Sequence, residues 1–115
     1  MQFVLETDNF GRLIGTLSDG RGEATVTSAS IHPALAGLSS ALDDLERTGR
    51  GECFWEEGGG EYRWVFAREN DKLRMAILWS AGTLTGWENV LWWERPFPDL
   101  LNVLRTEIGR HRVLQ

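Results

Sequence analysis

The chain predicts an α+β domain in which β-meanders alternate with two amphipathic helices. Tyr62, Trp64 and Phe66 fall at alternate positions, and Leu73, Met75, Ile77 and Trp79 repeat that pattern. Leu35, Leu38, Leu42 and Leu45 instead recur every three or four residues, as do Phe97, Leu100, Leu101, Leu104 and Ile108. Period two marks a strand with one buried face, and a period near 3.6 marks a helix with one buried stripe. The order meander, helix, meander, helix implies one antiparallel sheet with both helices packed on it.

The first meander is short. Phe3 to Thr7 reads as a strand, followed by a turn over Asp8-Asn9-Phe10-Gly11 and a second strand from Arg12 to Leu17. Leu13 and Leu17 share one face of that strand, and Arg12 and Thr16 the other. Ser18-Asp19-Gly20-Arg21-Gly22 is rich in residues that tolerate turns, and Glu23 to Ser28 is a β-branched third strand. The leucine helix follows, from Pro33 to about Thr48, with Gly49 placed for a left-handed C-terminal cap.

The second meander organises the rest. Gly51 to Glu57, Glu61 to Glu69 and Lys72 to Ser80 read as strands joined by Gly58-Gly59-Gly60 and Asn70-Asp71. Ala81 to Gly86 is a loop, and Trp87 to Glu94 a further strand. Pro96 and Pro98 mark entry into the second helix. Its Asp99 lies near the positive end of the helix dipole, and Arg110, His111 and Arg112 lie near the negative end.

One domain spans residues 1–115, a common domain length. The 42% hydrophobic content supports a core. Seventeen acidic residues against twelve basic ones leave a net charge of −5. That balance argues against non-specific binding to nucleic acid or an anionic membrane. The longest apolar run, Met75 to Trp79, is far short of the roughly 20 residues a membrane helix requires. Residues 1–6 carry no secretory pattern, so a cytoplasmic location is expected. Cys53 is the single cysteine, which rules out an intramolecular disulfide; between apolar neighbours it reads as an inert core thiol.

Motifs that carry chemistry are missing. His32 and His111 are far apart and Cys53 has no cysteine partner, so no metal-ligand spacing occurs. Gly58-Gly59-Gly60 lacks the Lys-Ser/Thr ending of a phosphate loop, and no Gly-x-Ser-x-Gly elbow is present. No cofactor, metal site or catalytic residue is expected.

The anomaly is tryptophan beside carboxylate. The chain holds six tryptophans, and Glu56, Glu57, Glu88 and Glu94 lie close to four of them. Packing accounts for Trp64, Trp79 and one of Trp92 and Trp93, which alternate across a strand. The functional reading is a surface patch drawn from Trp55, Glu56, Glu57, Trp87, Glu88 and Trp93, with at least one of Trp55, Trp87 and Trp93 exposed. Exposed aromatics dominate interface energetics, and acids steer a basic partner. Glu56 and Glu57 are strand neighbours on opposite faces, so they form no catalytic pair.

Gly60-Glu61-Tyr62-Arg63-Trp64, Asp71-Lys72-Leu73, Leu78-Trp79 and the Gly11-Arg12-Leu13 to Leu17 strand together resemble an uncharacterised family of small bacterial single-domain α+β proteins. The likeness implies the fold and carries no activity, substrate or catalytic residue.

Two functions follow. The preferred one is a small non-enzymatic interaction protein with a basic protein partner, of which an immunity-type inhibitor is one form. Free sheet edges also allow a homodimer. The alternative is a small-ligand or carbohydrate binder, or an enzyme, with a pocket lined by tryptophan and glutamate.

Overall fold

The computed structural model describes residues 1–82 and 86–113. The elements are β1 (Gln2–Thr7), β2 (Leu13–Ser18), β3 (Glu23–Ser28), α1 (Ile31–Thr48), β4 (Arg50–Glu57), β5 (Gly60–Glu69), β6 (Lys72–Ser80), β7 (Glu88–Pro96) and α2 (Phe97–Val113). This is the expected α+β order. The loop expected over Ala81 to Gly86 falls at 83–85 outside the described residues, as does the side chain of Arg112.

The strands part into two antiparallel sheets, β1-β2-β3 and β4-β5-β6-β7, where the hydrophobic pattern suggested one. The break follows from the chain path. Helix α1 separates β3 from β4, and no ladder joins them. Among the described residues one backbone hydrogen bond, Ala29 N–H to the Glu56 carbonyl at 2.9 Å, links the end of one to the end of the other.

Both sheets contribute to one core. Phe3, Leu5, Leu13, Leu17 and Val26 from the smaller sheet join Cys53, Trp55, Trp64, Phe66, Leu73, Met75, Ile77 and Trp93 from the larger. Trp64 is the hub. Its ring centroid lies 4.9 Å from that of Trp55, 6.0 Å from Phe3 and 6.3 Å from Phe66. The register Cys53↔Trp64↔Ile77, with Phe66↔Met75, holds these side chains on one face.

Helix α1 begins at Ile31, so Pro33 sits in its first turn, where its missing N–H breaks no bond. Ala34, Leu35, Leu38, Ala41, Leu42 and Leu45 form its buried stripe. Gly49, at φ +86°, ends the helix and donates its N–H to the Leu45 carbonyl at 2.8 Å. Two residues on, Gly51 lies against the helix so closely that a Cβ there would stand 2.0 Å from the Ala41 carbonyl oxygen. Helix α2 buries Phe97, Leu100, Leu104 and Ile108 and half-buries Leu101. It lies along β1, where Glu107 accepts a hydrogen bond from the Leu5 N–H at 2.7 Å. Arg110 and His111 turn to the same carboxylate. Among the described residues no helix is long and apolar enough to cross a membrane.

Candidate functional site

The site forms where β4 turns into β5 at the end of the larger sheet. The turn is Gly58-Gly59, and β5 begins at Gly60, one residue earlier than the sequence pattern placed it. A two-residue connection sets Glu57 opposite Gly60 and Glu56 opposite Glu61. Strand alternation then turns both Glu56 and Glu61 to the face away from the core, with Phe54 and Arg63 as the next pair. Neither the Glu56 nor the Glu61 carboxylate has a partner among the described residues.

Glu57 points the other way and is already engaged. Its Oε2 accepts a hydrogen bond from the Thr27 hydroxyl and lies 3.6 Å from Arg12 Nη1, while Oε1 accepts the Gly58 N–H at 3.2 Å. Glu56, Glu57, Gly60, Glu61, Ser80, Gly82, Gly86 and Trp87 line a cleft of about 480 Å³. Among the described residues no basic side chain lines it.

Trp87 forms one wall. It is 41% exposed, its ring lies 6.3 Å from that of Phe54, and the Arg63 guanidinium sits 5.8 Å from its ring centroid. Arg63 also donates to Glu52 on the neighbouring strand through Nε at 2.7 Å. Glu88 is exposed beside Trp87 but outside the cleft lining.

Two of the expected patch residues are misplaced. Trp55 is fully buried and Trp93 nearly so, at 3% exposure. The register explains both. Trp55 shares the inner face with Cys53 and Trp64, and pairing of Met75 with Trp93 turns Trp93 inward. They cannot form part of a surface patch in the folded chain. Pairing with Ala76 turns Trp92 outward instead, where it is 56% exposed.

From the cleft, the outer face of the sheet continues through Phe54, 45% exposed, and half-buried Leu78, Val65 and Ala76 to Trp92. Its charges are largely paired. Arg63 meets Glu52, and Arg74 binds Glu94 at 2.6 Å and Glu69 at 2.9 Å. The hydrogen bond from Arg74, with its charge and that of Lys72, holds the Glu94 carboxyl below its usual range. Arg50, at the end far from the cleft, is exposed and makes no ion pair with any described residue.

Sequence reasoning missed Glu61, Phe54 and Trp92. Glu61 was recoverable: closing the hairpin with two residues instead of three sets it against Glu56. Phe54 and Trp92 depend on which tryptophan neighbour faces inward, which alternation alone does not decide. The described residues hold no group of three or more histidine, cysteine, aspartate or glutamate side chains placed to bind a metal. Compared with protein-family models, with curated proteins and with solved structures, the chain has no match.

Proposed function

We propose that this is a non-enzymatic protein-binding protein whose acidic cleft receives an arginine or lysine side chain from a protein partner. The observation that carries the reading is Glu56 directly opposite Glu61, neither with a partner among the described residues. Like charges facing each other across a sheet destabilise it. A cation seated between them relieves that repulsion, and the adjacent Trp87 ring offers it an aromatic face. The net charge of −5 adds long-range attraction for a basic surface.

A small acidic chain of this kind suits an immunity-type inhibitor that masks a basic partner in the cytoplasm. The carbohydrate or enzyme alternative is less well supported. It drew its aromatic platform from Trp55, Trp87 and Trp93, and only Trp87 reaches the cleft. Glu57, one of the glutamates lining the cleft, already serves Thr27, Arg12 and Gly58.

The test is a titration of the protein with an arginine-bearing peptide and a length-matched neutral one, followed by tryptophan emission. The basic peptide should bind in a salt-sensitive manner, and Glu56→Gln with Glu61→Gln should weaken it about tenfold or more. Glu23→Gln with Asp71→Asn, two exposed acids outside the cleft, serves as the charge control. Equal weakening by the control and the cleft variant would reduce the effect to net charge and remove the reading.

A further inference from the structure

We infer that the cation received by the cleft is Arg50 of a second copy, in a two-fold dimer formed by the outer faces of two four-stranded sheets. This rests on the cation-binding reading of the cleft and makes the partner a second copy in place of a basic protein. Two net charges of −5 repel at long range, so the local Arg50 contacts and the apolar face carry the association.

The first support is the apolar character of the face. Three of the large exposed hydrophobic side chains, Phe54, Trp87 and Trp92, lie on it or at its border. Leu78, Val65 and Ala76 fill the space between. An uncovered apolar surface of this kind marks a contact site. The ion pairs within it, Arg63–Glu52 and Arg74–Glu94, are satisfied inside the chain, so they ask for no outside partner.

The second support is charge complementarity along the strands. The unpaired groups lie at opposite ends of the same face: Arg50 at the start of β4, and Glu56 with Glu61 at the other end of the hairpin. Arg50 and Glu56 are six residues apart, roughly 20 Å at about 3.3 Å per residue. Consider a two-fold axis lying between the two sheets, perpendicular to the strands and passing at the level of Cys53. It exchanges the two ends, setting Arg50 of each copy against Glu56 and Glu61 of the other. The same operation lays Leu78 over Ala76 and Arg63 over Val65 of the other copy. Face-to-face sheets pack about 10 Å apart, which an arginine and a glutamate reaching toward each other span together. The contact is isologous, so it closes at two copies without leaving a growing end.

The orientation of Arg50 is secured by the fold. Gly51, on the inner side, is pressed against the Ala41 carbonyl of α1, so its neighbours in the strand must face outward. Arg50 is therefore aligned with Glu52, Phe54 and Glu56.

The test is the mass in solution by sedimentation equilibrium, with folding of every variant checked by circular dichroism. Wild type should show a species of about twice the 13.0 kDa chain. Arg50→Glu and Glu56→Arg should each weaken dimerisation about tenfold or more, because each sets like charges together. An equimolar mixture of those two variants should regain much of the dimer, since both contacts between positions 50 and 56 are then of opposite sign. Trp92→Ser should also give monomer. A monomeric wild type, a dimer insensitive to Arg50→Glu, or a mixture that does not recover would overturn the inference. Peptide binding by a monomeric wild type would leave the cleft reading standing; in the Arg50→Glu monomer, whose cleft no second copy fills, absence of peptide binding would remove the cleft reading.

Discussion

The carboxylate of Glu107 on α2 accepts the backbone N–H of Leu5 on β1 at 2.7 Å. It thereby occupies a donor on the open edge of the smaller sheet, which a bare edge strand would present to other chains. Arg110 binds the same carboxylate through Nε at 2.9 Å and Nη2 at 2.6 Å, and Glu107 is only 8% exposed. The Arg110 hydrogen bond, with the Leu5 N–H adding to it, outweighs burial and holds this carboxyl below its usual range.

A carboxyl whose folded pKa is depressed stabilises the fold above its unfolded pKa, and that contribution disappears as pH falls through the folded value. Glu107→Gln keeps an acceptor for Leu5 but gives up the charge. It should lower stability by about 1–3 kcal/mol at neutral pH. Urea denaturation of both proteins should show the gap narrowing once the pH drops below the ordinary glutamate value of 4.5. A gap unchanged into strong acid would mean that the charge on Glu107 does not matter.

Trp64 packs at the junction of the two sheets. Trp64→Ala should cost about 3–5 kcal/mol, as expected for a large aromatic removed from a closed core. Its indole Nε1 has no hydrogen-bond partner among the described residues. Trp64→Phe should therefore cost clearly less than Trp64→Ala, because shape is lost but no polar contact. A loss below about 1 kcal/mol for the alanine variant would place Trp64 outside the core.

Why Trp64 could be read from the sequence and Trp55 could not is a matter of context. Tyr62, Trp64 and Phe66 stand on one side of their strand, against Arg63, Val65 and Ala67, so the apolar face is unambiguous. In β4 the inward pair is Cys53 and Trp55 and the outward residue is Phe54, and all three are apolar. Only pairing with β5 breaks that tie. Trp92 and Trp93 pose the same problem in β7, complicated by a register shift beside Ile77 and Leu78. Both leucine stripes were legible because a helix interior rejects charge on one continuous side. The division into two sheets was not legible, since no local pattern encodes which strand fails to pair across a helix.

Cys53 follows from the same register. It is buried against α1, where a Cβ on Gly37 would lie 3.6 Å from its own Cβ. Burial pushes the thiol up to about 12, with the nearby Glu52 charge adding to it. The thiolate is the reactive form, so native protein should resist a thiol reagent at neutral pH and label fully only after unfolding. Rapid stoichiometric labelling of folded protein would show that the strand faces are exchanged.

Glu56 and Glu61 give the last prediction, because stability and binding should move in opposite directions there. The two carboxylates face each other directly across β4 and β5. Replacing one by a cation turns a repulsive cross-strand pair into an attractive one, a change of about 0.2–1 kcal/mol in the folded state's favour. Glu61→Lys should therefore raise the denaturation midpoint while abolishing salt-sensitive binding of a basic peptide. The new lysine fills the place intended for the incoming cation and reverses the local charge. Glu61→Gln separates the two effects, since it removes the repulsion without supplying a cation; it should be intermediate in both measurements. Thermal or urea melts, run in the Trp92→Ser monomer background so that loss of the dimer contact does not enter, read the first quantity and peptide titration the second. If Glu61→Lys is destabilised, the two carboxylates do not repel across the hairpin, and the case for a cation site between them fails.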